Sequence, residues 1–382
     1  MTAPNVPYTV AAVTGSRAEF GLLDTVMRSI NDHPSLDLRV IVAGAHLLPP
    51  AETWRDVAAK YDIAARVPMQ VADQTTRLSD ASAMGRGAQG FAKVFTDMSP
   101  DWVVVLGDRI EAFAAAAAAS VAGIAVAHIH GGDRAQGVAD EAMRHAITKL
   151  AHLHLAATEQ SARRITQMGE DPARIFVVGS PALDDLQNID PCDDDAWRAL
   201  GEPQVVLLHH PIGRPDLEEH RDAQILLEAL APLRTLTLHP NTDPGRAGVL
   251  RALEEAENKN TMAPPIAHLP RAEFLALLKR LTDTTGVLVG NSSAGLIEAA
   301  ALHLPVVDVG QRQSGRQRAG NVVHVDEITH SAVTSAILKV RSLDLRHLDH
   351  PYGDGDAGPR IADRLAAVNP TAPNFTSKHN SY

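Results

Sequence analysis

Cysteine is almost absent from this chain of 382 residues, which contains only Cys192. A single thiol excludes an intramolecular disulfide and a metal site built from several cysteines, and it is typical of a reducing cytoplasm. Aromatic residues make up only 4% of the sequence, which argues against a stacking surface for single-stranded nucleic acid. The formal net charge of -11 disfavours a nucleic-acid partner further, because phosphate backbones attract basic proteins.

A long apolar run is missing too. The best candidate, Ala112–Val126, is interrupted by Gly123 and is shorter than the roughly 20 residues that span a membrane. The first residues, MTAPNVPYTV, lack the basic and apolar regions of a signal peptide. We therefore expect a soluble cytoplasmic protein without a membrane partner.

Short β-branched or apolar runs, which we predict as strands, alternate with helical stretches along most of the chain, a pattern typical of α/β proteins with parallel sheets. Those of the second half include Val205–Leu208, Ile266–Leu269 and Val306–Val309. The acidic, proline-containing stretch Gln187–Asp195 interrupts this alternation and indicates a domain boundary. Because the two halves are alike, we predict two Rossmann-like domains that face each other across a cleft. Their predicted bounds are 1–184 and 185–354, and the tail from Asn369 onward is expected to fray.

Polar residues follow two neighbouring strand-like runs, Val103–Gly107 and Ile124–Ile129. Ligands of open parallel sheets bind outside the carboxyl ends of the strands. The pattern therefore predicts an acid–base cluster at this edge, and the alternative is a set of solvated loop charges and helix caps. Its members are Asp108, Arg109, His130, Asp133, Asp140, Glu141, Arg144 and His145.

The loop TGSRAEFG joins the first strand to a helix, so Arg17 lies where anions bind a helix N-terminus. The alternative for Arg17 is a surface arginine without a ligand. The loop is not a GxGxxG motif, and Gly44-Ala45-His46 stands where a dinucleotide-binding domain has an acidic residue. We therefore exclude a nicotinamide-binding first domain.

A second candidate anion site is GNSSAGLIEAA, where Ser292 or Ser293 would cap the helix Ala294–Ala301. Such an end suits a diphosphate, and Glu298 would accept hydrogen bonds from ribose hydroxyls. The alternative is an ordinary serine-capped helix with a salt-bridged glutamate.

The loop GQRQSGRQRAGN, with Arg312, Arg316 and Arg318, is a candidate clamp for an anionic ligand. His210, in HHP, ends another strand of the second half. HExxH and GxSxG are both missing, so we expect neither a metal site nor serine hydrolase chemistry.

Seven motifs occur in the order seen in one family: TGSRAEFGLL, GDRIEAF, HIHGGD, RHAITKLAHLHLAAT, HHP, GNSSAGLIEA and GQRQSGRQRAGNVVHV. From about Val10 to Ile361, the chain resembles the hydrolysing UDP-N-acetylglucosamine 2-epimerases of sialic-acid and related nonulosonic-acid synthesis. The resemblance implies a glycosyltransferase-B fold, with a C-terminal helix at about 355–382 that returns to the first domain. It also implies a homodimer or homotetramer, and no cofactor.

The implied reaction converts UDP-N-acetylglucosamine and water into N-acetylmannosamine and UDP. A base removes the C2 proton, UDP leaves C1, and the resulting glycal is hydrated. By motif, the resemblance assigns active-site roles to Asp108, Asp140, Arg144, His46 and His210. It assigns UDP contacts to Arg17, Arg109, Asn241, Ser292, Ser293 and Glu298, to which we add Arg316.

Two positions depart from the family pattern. His130 stands where some members have a catalytic glutamate, and Asp133 replaces a longer glutamate. We add both residues to the catalytic candidates. Because both would lie beside the sugar, the substrate is either UDP-N-acetylglucosamine or a UDP-2,4-diacetamido-2,4,6-trideoxy sugar, on which relatives of the family act. A non-hydrolysing 2-epimerase, a glycosyltransferase and a non-catalytic nucleotide-sugar binder are further alternatives, although HIHGGD and RHAITK resemble the hydrolysing branch.

Overall fold

The computed structural model describes residues 6–49, 51–72, 76–135, 140–241 and 243–381, with the side chain of Asp140 outside the description. Its strands are β1 (Tyr8–Thr14), β2 (Leu36–Ala43), β3 (Ile63–Val67), β4 (Trp102–Leu106), β5 (Ala125–Ile129), β6 (Leu153–Ala156), β7 (Ile175–Val177), β8 (Val205–Leu208), β9 (Thr235–Thr237), β10 (Val287–Gly290), β11 (Val306–Val309) and β12 (Val322–Val325).

The helices alternate with these strands. They are α1 (Arg17–Asp32), α2 (Trp54–Ala58), α3 (Arg77–Met98), α4 (Ile110–Val121), α5 (Asp140–Leu150), α6 (Glu159–Gln167), α7 (Asp194–Ala199), α8 (Asp216–Leu230), α9 (Arg246–Asn258), α10 (Arg271–Thr282), α11 (Glu298–Ala301), α12 (His330–Arg341) and α13 (Ala357–Ala367). In the part of the chain that is described, no helix is long and apolar enough to cross a membrane.

Two parallel sheets organise the chain. The first has the strand order β3-β2-β1-β4-β5-β6-β7 and the second the order β12-β11-β10-β8-β9. The chain divides into two compact units. The first contains the described residues up to Asp133, together with 140–184 and 352–381. The second contains 185–351, together with Arg134 and Ala135. The predicted α/β class with two Rossmann-like sheets is confirmed.

Both faces of the first sheet are covered, so its strands are apolar without alternation. Every residue of β4 is buried, with Trp102 and Val104 in one core and Val103 in the core on the other face. Five alanines of α4 are buried in that second core, because side chains this small allow the helix to lie close to α3 and the sheet. They are Ala112, Ala114, Ala115, Ala116 and Ala119. The strand ends above this packed layer are therefore held rigidly.

The end of the chain differs from prediction. The helix expected at about 355–382 is confined to α13, and the tail after it is docked on the first unit. Phe375 is buried and meets the Trp102 ring edge-on at 5.6 Å, and Lys378 Nζ donates to Lys149 O and Ala151 O at 2.6 Å each. The fraying expected from Asn369 is wrong, because one aromatic anchor and a lysine that caps the carbonyls ending α5 outweigh the polar composition.

One predicted strand of the second unit, Ile266–Leu269, is reduced to a single bridge between Leu238 and Ile266. Pro264, Pro265 and Pro270 flank this stretch. Because proline has no N–H to donate to a ladder, pairing does not extend further.

Candidate active site

Asp108 and Arg144, predicted to share the carboxyl edge of the first sheet, are brought together there. Asp108 lies in the turn that follows β4, and Arg144 lies on α5, where its Nη2 donates to Asp108 Oδ2. The Arg144 side chain is 5% exposed, whereas that of Asp108 is 19% exposed. A buried cation thus fixes the orientation of a carboxylate that remains accessible. Asp140 begins α5 one turn before Arg144, but its predicted catalytic side chain lies outside the described residues.

His128 supports this carboxylate and was not anticipated from the sequence. It lies on β5, where its Nε2 donates to Gly107 O at 2.7 Å and its Nδ1 lies 3.2 Å from Thr148 Oγ1. Burial lowers the pKa of His128 to about 3, so the imidazole is neutral at physiological pH. A neutral ring with both nitrogens in contact acts as a brace between the Gly107–Asp108 turn and α5.

His130 and Asp133, the two departures from the family pattern, form one buried hydrogen-bonded set. His130 Nδ1 lies 2.9 Å from Asp133 Oδ2, and its Nε2 lies 2.9 Å from Ser180 Oγ. Asp133 Oδ1 accepts a 2.6 Å hydrogen bond from Ser161 Oγ. All four residues are buried, and His130 adopts φ +62°. Each ring nitrogen of His130 and each carboxylate oxygen of Asp133 therefore has a partner within the protein.

His46 is also held on both sides. Its Nε2 lies 3.0 Å from Thr14 Oγ1 and its Nδ1 lies 2.8 Å from Thr53 Oγ1. Burial lowers the pKa of His46 to about 4, so the ring is neutral at pH 7. In this arrangement His46 ties the end of β1 to the segment after β2.

Arg17 and Arg109 lie at the starts of two helices of the first unit. Arg17 is the first residue of α1, which Ser16 caps by accepting from the Glu19 N–H, and its side chain is exposed. Arg109 occupies the N-cap position of α4, and its Nε lies 3.5 Å from Glu111 Oε2. Both cations therefore stand at helix N-termini, where an anion is favoured.

In the second unit, Asn291 connects the ends of β8 and β10. Its Oδ1 accepts from the His210 N–H at 2.7 Å and its Nδ2 donates to His210 O at 2.8 Å. His210 Nδ1 in turn accepts from the Asn241 N–H at 3.1 Å. Burial lowers the pKa of His210 well below its usual value, and this backbone donor leaves the ring proton on Nε2. His210 is thus set as a neutral hydrogen-bond donor, oriented by an asparagine that the sequence did not single out.

The arginines of the predicted anion clamp already have partners inside the protein. Arg318 donates to Asp308 Oδ2 at 2.9 and 2.7 Å, and Arg316 donates to Gln313 Oε1 at 3.0 Å. Arg312 donates to Asn291 O at 3.3 Å. These hydrogen bonds hold the three arginine side chains in fixed positions within the loop.

The predicted helix Ala294–Ala301 is wrong in its first half. Ser292 caps a 3₁₀ turn, Ser293–Gly295, and only the four residues of α11 are helical. Ser292, Ser293 and Gly295 precede Leu296, and serine and glycine favour a tight turn over a regular helix. Glu298 is buried, and its Oε1 accepts from Arg271 Nη1 at 2.9 Å, so this glutamate is salt-bridged, as in the alternative given for this motif.

Metal ligation has no support in the residues that the structure describes, where no group of three or more His, Cys, Asp or Glu side chains is placed to hold an ion. What the first unit does offer is a carboxylate, a buried arginine beside it, and two cations at helix N-termini. The second unit offers a neutral imidazole donor and a stiffened basic loop. This chemistry suits proton transfer beside a departing anionic group.

Comparisons with known proteins agree with this inventory. A family model described as UDP-N-acetylglucosamine 2-epimerase matches residues 28–366. The chain is 35% identical to the UDP-N,N'-diacetylbacillosamine 2-epimerase (hydrolyzing) of Legionella pneumophila, over 97% of this chain and 98% of the relative. It is 30% identical to a UDP-N-acetylglucosamine 2-epimerase of Neisseria meningitidis serogroup B, over 97% of both chains. A putative UDP-N-acetylglucosamine 2-epimerase structure from Listeria monocytogenes shares the fold, with a TM-score of 0.79 at 20% identity, covering 96% of this chain and 98% of the other.

Proposed function

The chain belongs to the UDP-N-acetylglucosamine 2-epimerase family, and we propose that it is a hydrolysing enzyme whose substrate is UDP-N,N'-diacetylbacillosamine. Family membership makes it a UDP-sugar 2-epimerase. The observation that carries the finer proposal is the 35% identity, over almost the whole length of both chains, to a relative named for that hydrolysing activity. This sugar is the 2,4-diacetamido-2,4,6-trideoxy alternative raised by His130 and Asp133.

UDP-N-acetylglucosamine is the second candidate substrate. It is the sugar that the sequence motifs suggest first, and the Neisseria meningitidis relative at 30% identity is named for it. The two sugars differ at C4 and C6, so the reaction at C1 and C2 is the same for both.

In the proposed reaction, Asp108 is the carboxylate that exchanges the C2 proton. The C2–H bond breaks, the electron pair forms the C1=C2 double bond, and UDP departs with the C1–O bonding pair. A proton then returns to the opposite face of C2 while water supplies the hydroxyl at C1, which gives the free 2-epimer. The buried guanidinium of Arg144 keeps the Asp108 carboxylate oriented, and Asp140 is proposed as the second carboxylate of this exchange.

In the first unit, Arg17 and Arg109 are proposed to contact UDP, since both lie at helix N-termini, where an anion is favoured. In the second unit, we propose that His210 donates from Nε2 and that Asn241, Ser292, Ser293, Glu298 and Arg316 contact the nucleotide. Fixed donors such as His210 Nε2 and the arginines stabilise negative charge as it develops on the leaving group, whereas the Glu298 carboxylate is proposed to accept from ribose hydroxyls.

Replacing Arg17 by alanine is expected to weaken UDP binding by about tenfold to a hundredfold, because one charge-assisted contact to phosphate is lost. Isothermal titration with UDP measures this directly. Arg28→Ala, at an exposed position of the same helix, serves as the matched control. Equal UDP affinity in the two variants would contradict the role of Arg17.

The proposed activity is tested by NMR of the purified protein in deuterated water with each UDP-sugar in turn. Release of free UDP together with a 2-epimer deuterated at C2 is expected, and faster with UDP-N,N'-diacetylbacillosamine than with UDP-N-acetylglucosamine. A product that retains UDP would overturn the hydrolysing mechanism. The opposite order of rates would move the substrate to UDP-N-acetylglucosamine.

A further inference from the structure

Glu111 is a fully buried carboxylate at the carboxyl edge of the first sheet, outside the set of residues assigned so far. It lies in the first turn of α4 and has no exposed surface. Its Oε1 accepts from Gln70 Nε2 at 2.7 Å and from the Ala45 N–H at 3.3 Å. Its Oε2 lies 3.5 Å from Arg109 Nε. One side chain thus joins the segments that follow β2, β3 and β4.

Two glycines show how closely the loops pack on this carboxylate. A Cβ at Gly15 would lie 2.5 Å from Glu111 Cβ and Cγ, and a Cβ at Gly44, where φ is +55°, would collide with Glu111 Cγ and Oε1. Gly15 belongs to the loop after β1 and Gly44 to the loop after β2. Only residues without a side chain can approach Glu111 in this way, so the segment after β1 also rests on it.

Glu19 is a second buried carboxyl of the same cluster. Its Oε2 accepts from the Gly15 N–H at 2.7 Å, and the residue is 6% exposed. Burial, together with the nearby charge of Glu111, raises the pKa of Glu19 to about 8, although the Gly15 N–H works in the opposite direction. Glu19 is therefore a neutral acid at physiological pH, which leaves one negative charge in the cluster opposite Arg109.

We propose that Glu111 is a positioning residue for the UDP-sugar site, because it fixes the three strand-end segments that carry Arg17, His46, and Asp108 with Arg109. Glu19, whose carboxyl accepts from the Gly15 N–H in the same cluster, is its proposed partner. The proposal rests on the proposed function, since it assigns these segments to substrate binding. Its physical basis is that Glu111 receives donors from two other segments and faces the guanidinium of Arg109. If this carboxylate is lost, Arg109 loses its orientation and the segments lose their common anchor.

The proximity of Glu19 to Glu111 also predicts that the affinity for UDP depends on pH. The charged groups that act on Glu19 are Glu111 and Arg109 from the start of α4, and both also act on His46 in the segment after β2. As pH rises through about 8, Glu19 ionises and places a second negative charge beside Glu111. UDP affinity should then fall, and the Glu19→Gln variant, which keeps a neutral hydrogen-bonding group, should lack this decline.

The experiment measures UDP binding by calorimetry and turnover of the UDP-sugar across pH 6–9.5 for the wild type, Glu111→Gln, Glu19→Gln and Gln70→Met. Glu111→Gln should weaken UDP binding by about tenfold or more at pH 7, and Gln70→Met should act in the same direction to a smaller extent. Glu19→Gln should equal the wild type at pH 7 and exceed it above pH 8. Glu159→Gln, at an exposed position of α6, is the control.

The outcomes separate the two proposals. If the wild type binds UDP and turns over a UDP-sugar, but Glu111→Gln and Gln70→Met bind UDP as it does, the positioning role is overturned while the enzyme assignment stands. An identical alkaline decline in Glu19→Gln overturns the partner role of Glu19. If Glu111→Gln does not fold, Gln70→Met and the pH profile of Glu19→Gln still decide. A wild type that neither binds UDP nor releases it overturns the proposed function and this inference with it.

Discussion

The Asp108→Asn variant is expected to lose about a thousandfold in kcat, the range typical for removal of a positioned acid–base group. UDP affinity should stay close to that of the wild type, because the asparagine oxygen can still accept from Arg144 Nη2 and no phosphate contact is removed. The separation arises because Asp108 is proposed to act on the C2 proton, whereas the diphosphate is proposed to bind other residues. The measurement compares turnover with UDP titration for the same preparation.

Asp97→Asn is the matched control for this variant, since Asp97 is exposed near the end of α3. It should change neither turnover nor UDP affinity. If Asp108→Asn lost turnover and UDP affinity by the same factor, Asp108 would be a binding residue. The general base would then have to be sought elsewhere, with Asp140 as the next candidate.

Phe375→Ala should lower the free energy of unfolding of the first unit by about 3–5 kcal/mol, the usual cost of deleting a buried aromatic ring. The ring is 9% exposed, meets Trp102 edge-on at 5.6 Å, and lies 4.4 Å below the Arg174 guanidinium. Alanine would leave a cavity beside the start of β4. Urea unfolding followed by tryptophan fluorescence measures the change, because Trp102 reports on the site directly.

The control for the tail is Leu338→Ala on α12, whose side chain is 67% exposed and should alter stability by less than about 0.5 kcal/mol. A Phe375→Ala variant as stable as the wild type would mean that the tail is not an anchor in solution. In that case the expectation of a frayed tail, made from its polar composition, would be restored.

Local sequence patterns were sufficient for most of the fold. The strands Val205–Leu208 and Val306–Val309 were predicted at their observed bounds, because a strand buried on both faces is a continuous apolar run that polar residues end abruptly. Predictions from local sequence were wrong where neighbouring prolines limited strand pairing and where a buried aromatic residue anchored a polar segment. Ile266–Leu269 has strand-like residues, but the prolines around it limit pairing, and the tail has polar residues around a single aromatic anchor.

For the candidate site, the sequence indicated which residues lie at strand ends. It did not indicate which side chains hydrogen-bond to those strand ends and fix their position. The rule that polar residues after parallel strands share one edge brought Asp108 and Arg144 together correctly. The sequence did not reveal the supporting roles of His128 and Asn291, because their hydrogen-bond partners are distant in sequence. His128 and Gly107 are 21 residues apart, and Asn291 and His210 are 81 residues apart. Glu111 likewise resembles an ordinary first-turn glutamate until its 66-residue separation from Ala45 is closed by folding.

The placement of 352–381 in the first unit affects the order in which the two units can fold during synthesis. The 185–351 stretch is continuous and can pack its core as soon as it leaves the ribosome, whereas the first unit includes 352–381. Ile361, Leu365 and Phe375 belong to the same core as Trp102, so that core stays incomplete until 352–381 has been synthesised. The first unit is therefore expected to complete its core after the second, and a nascent chain stalled before residue 352 should show protease resistance in the second unit ahead of the first.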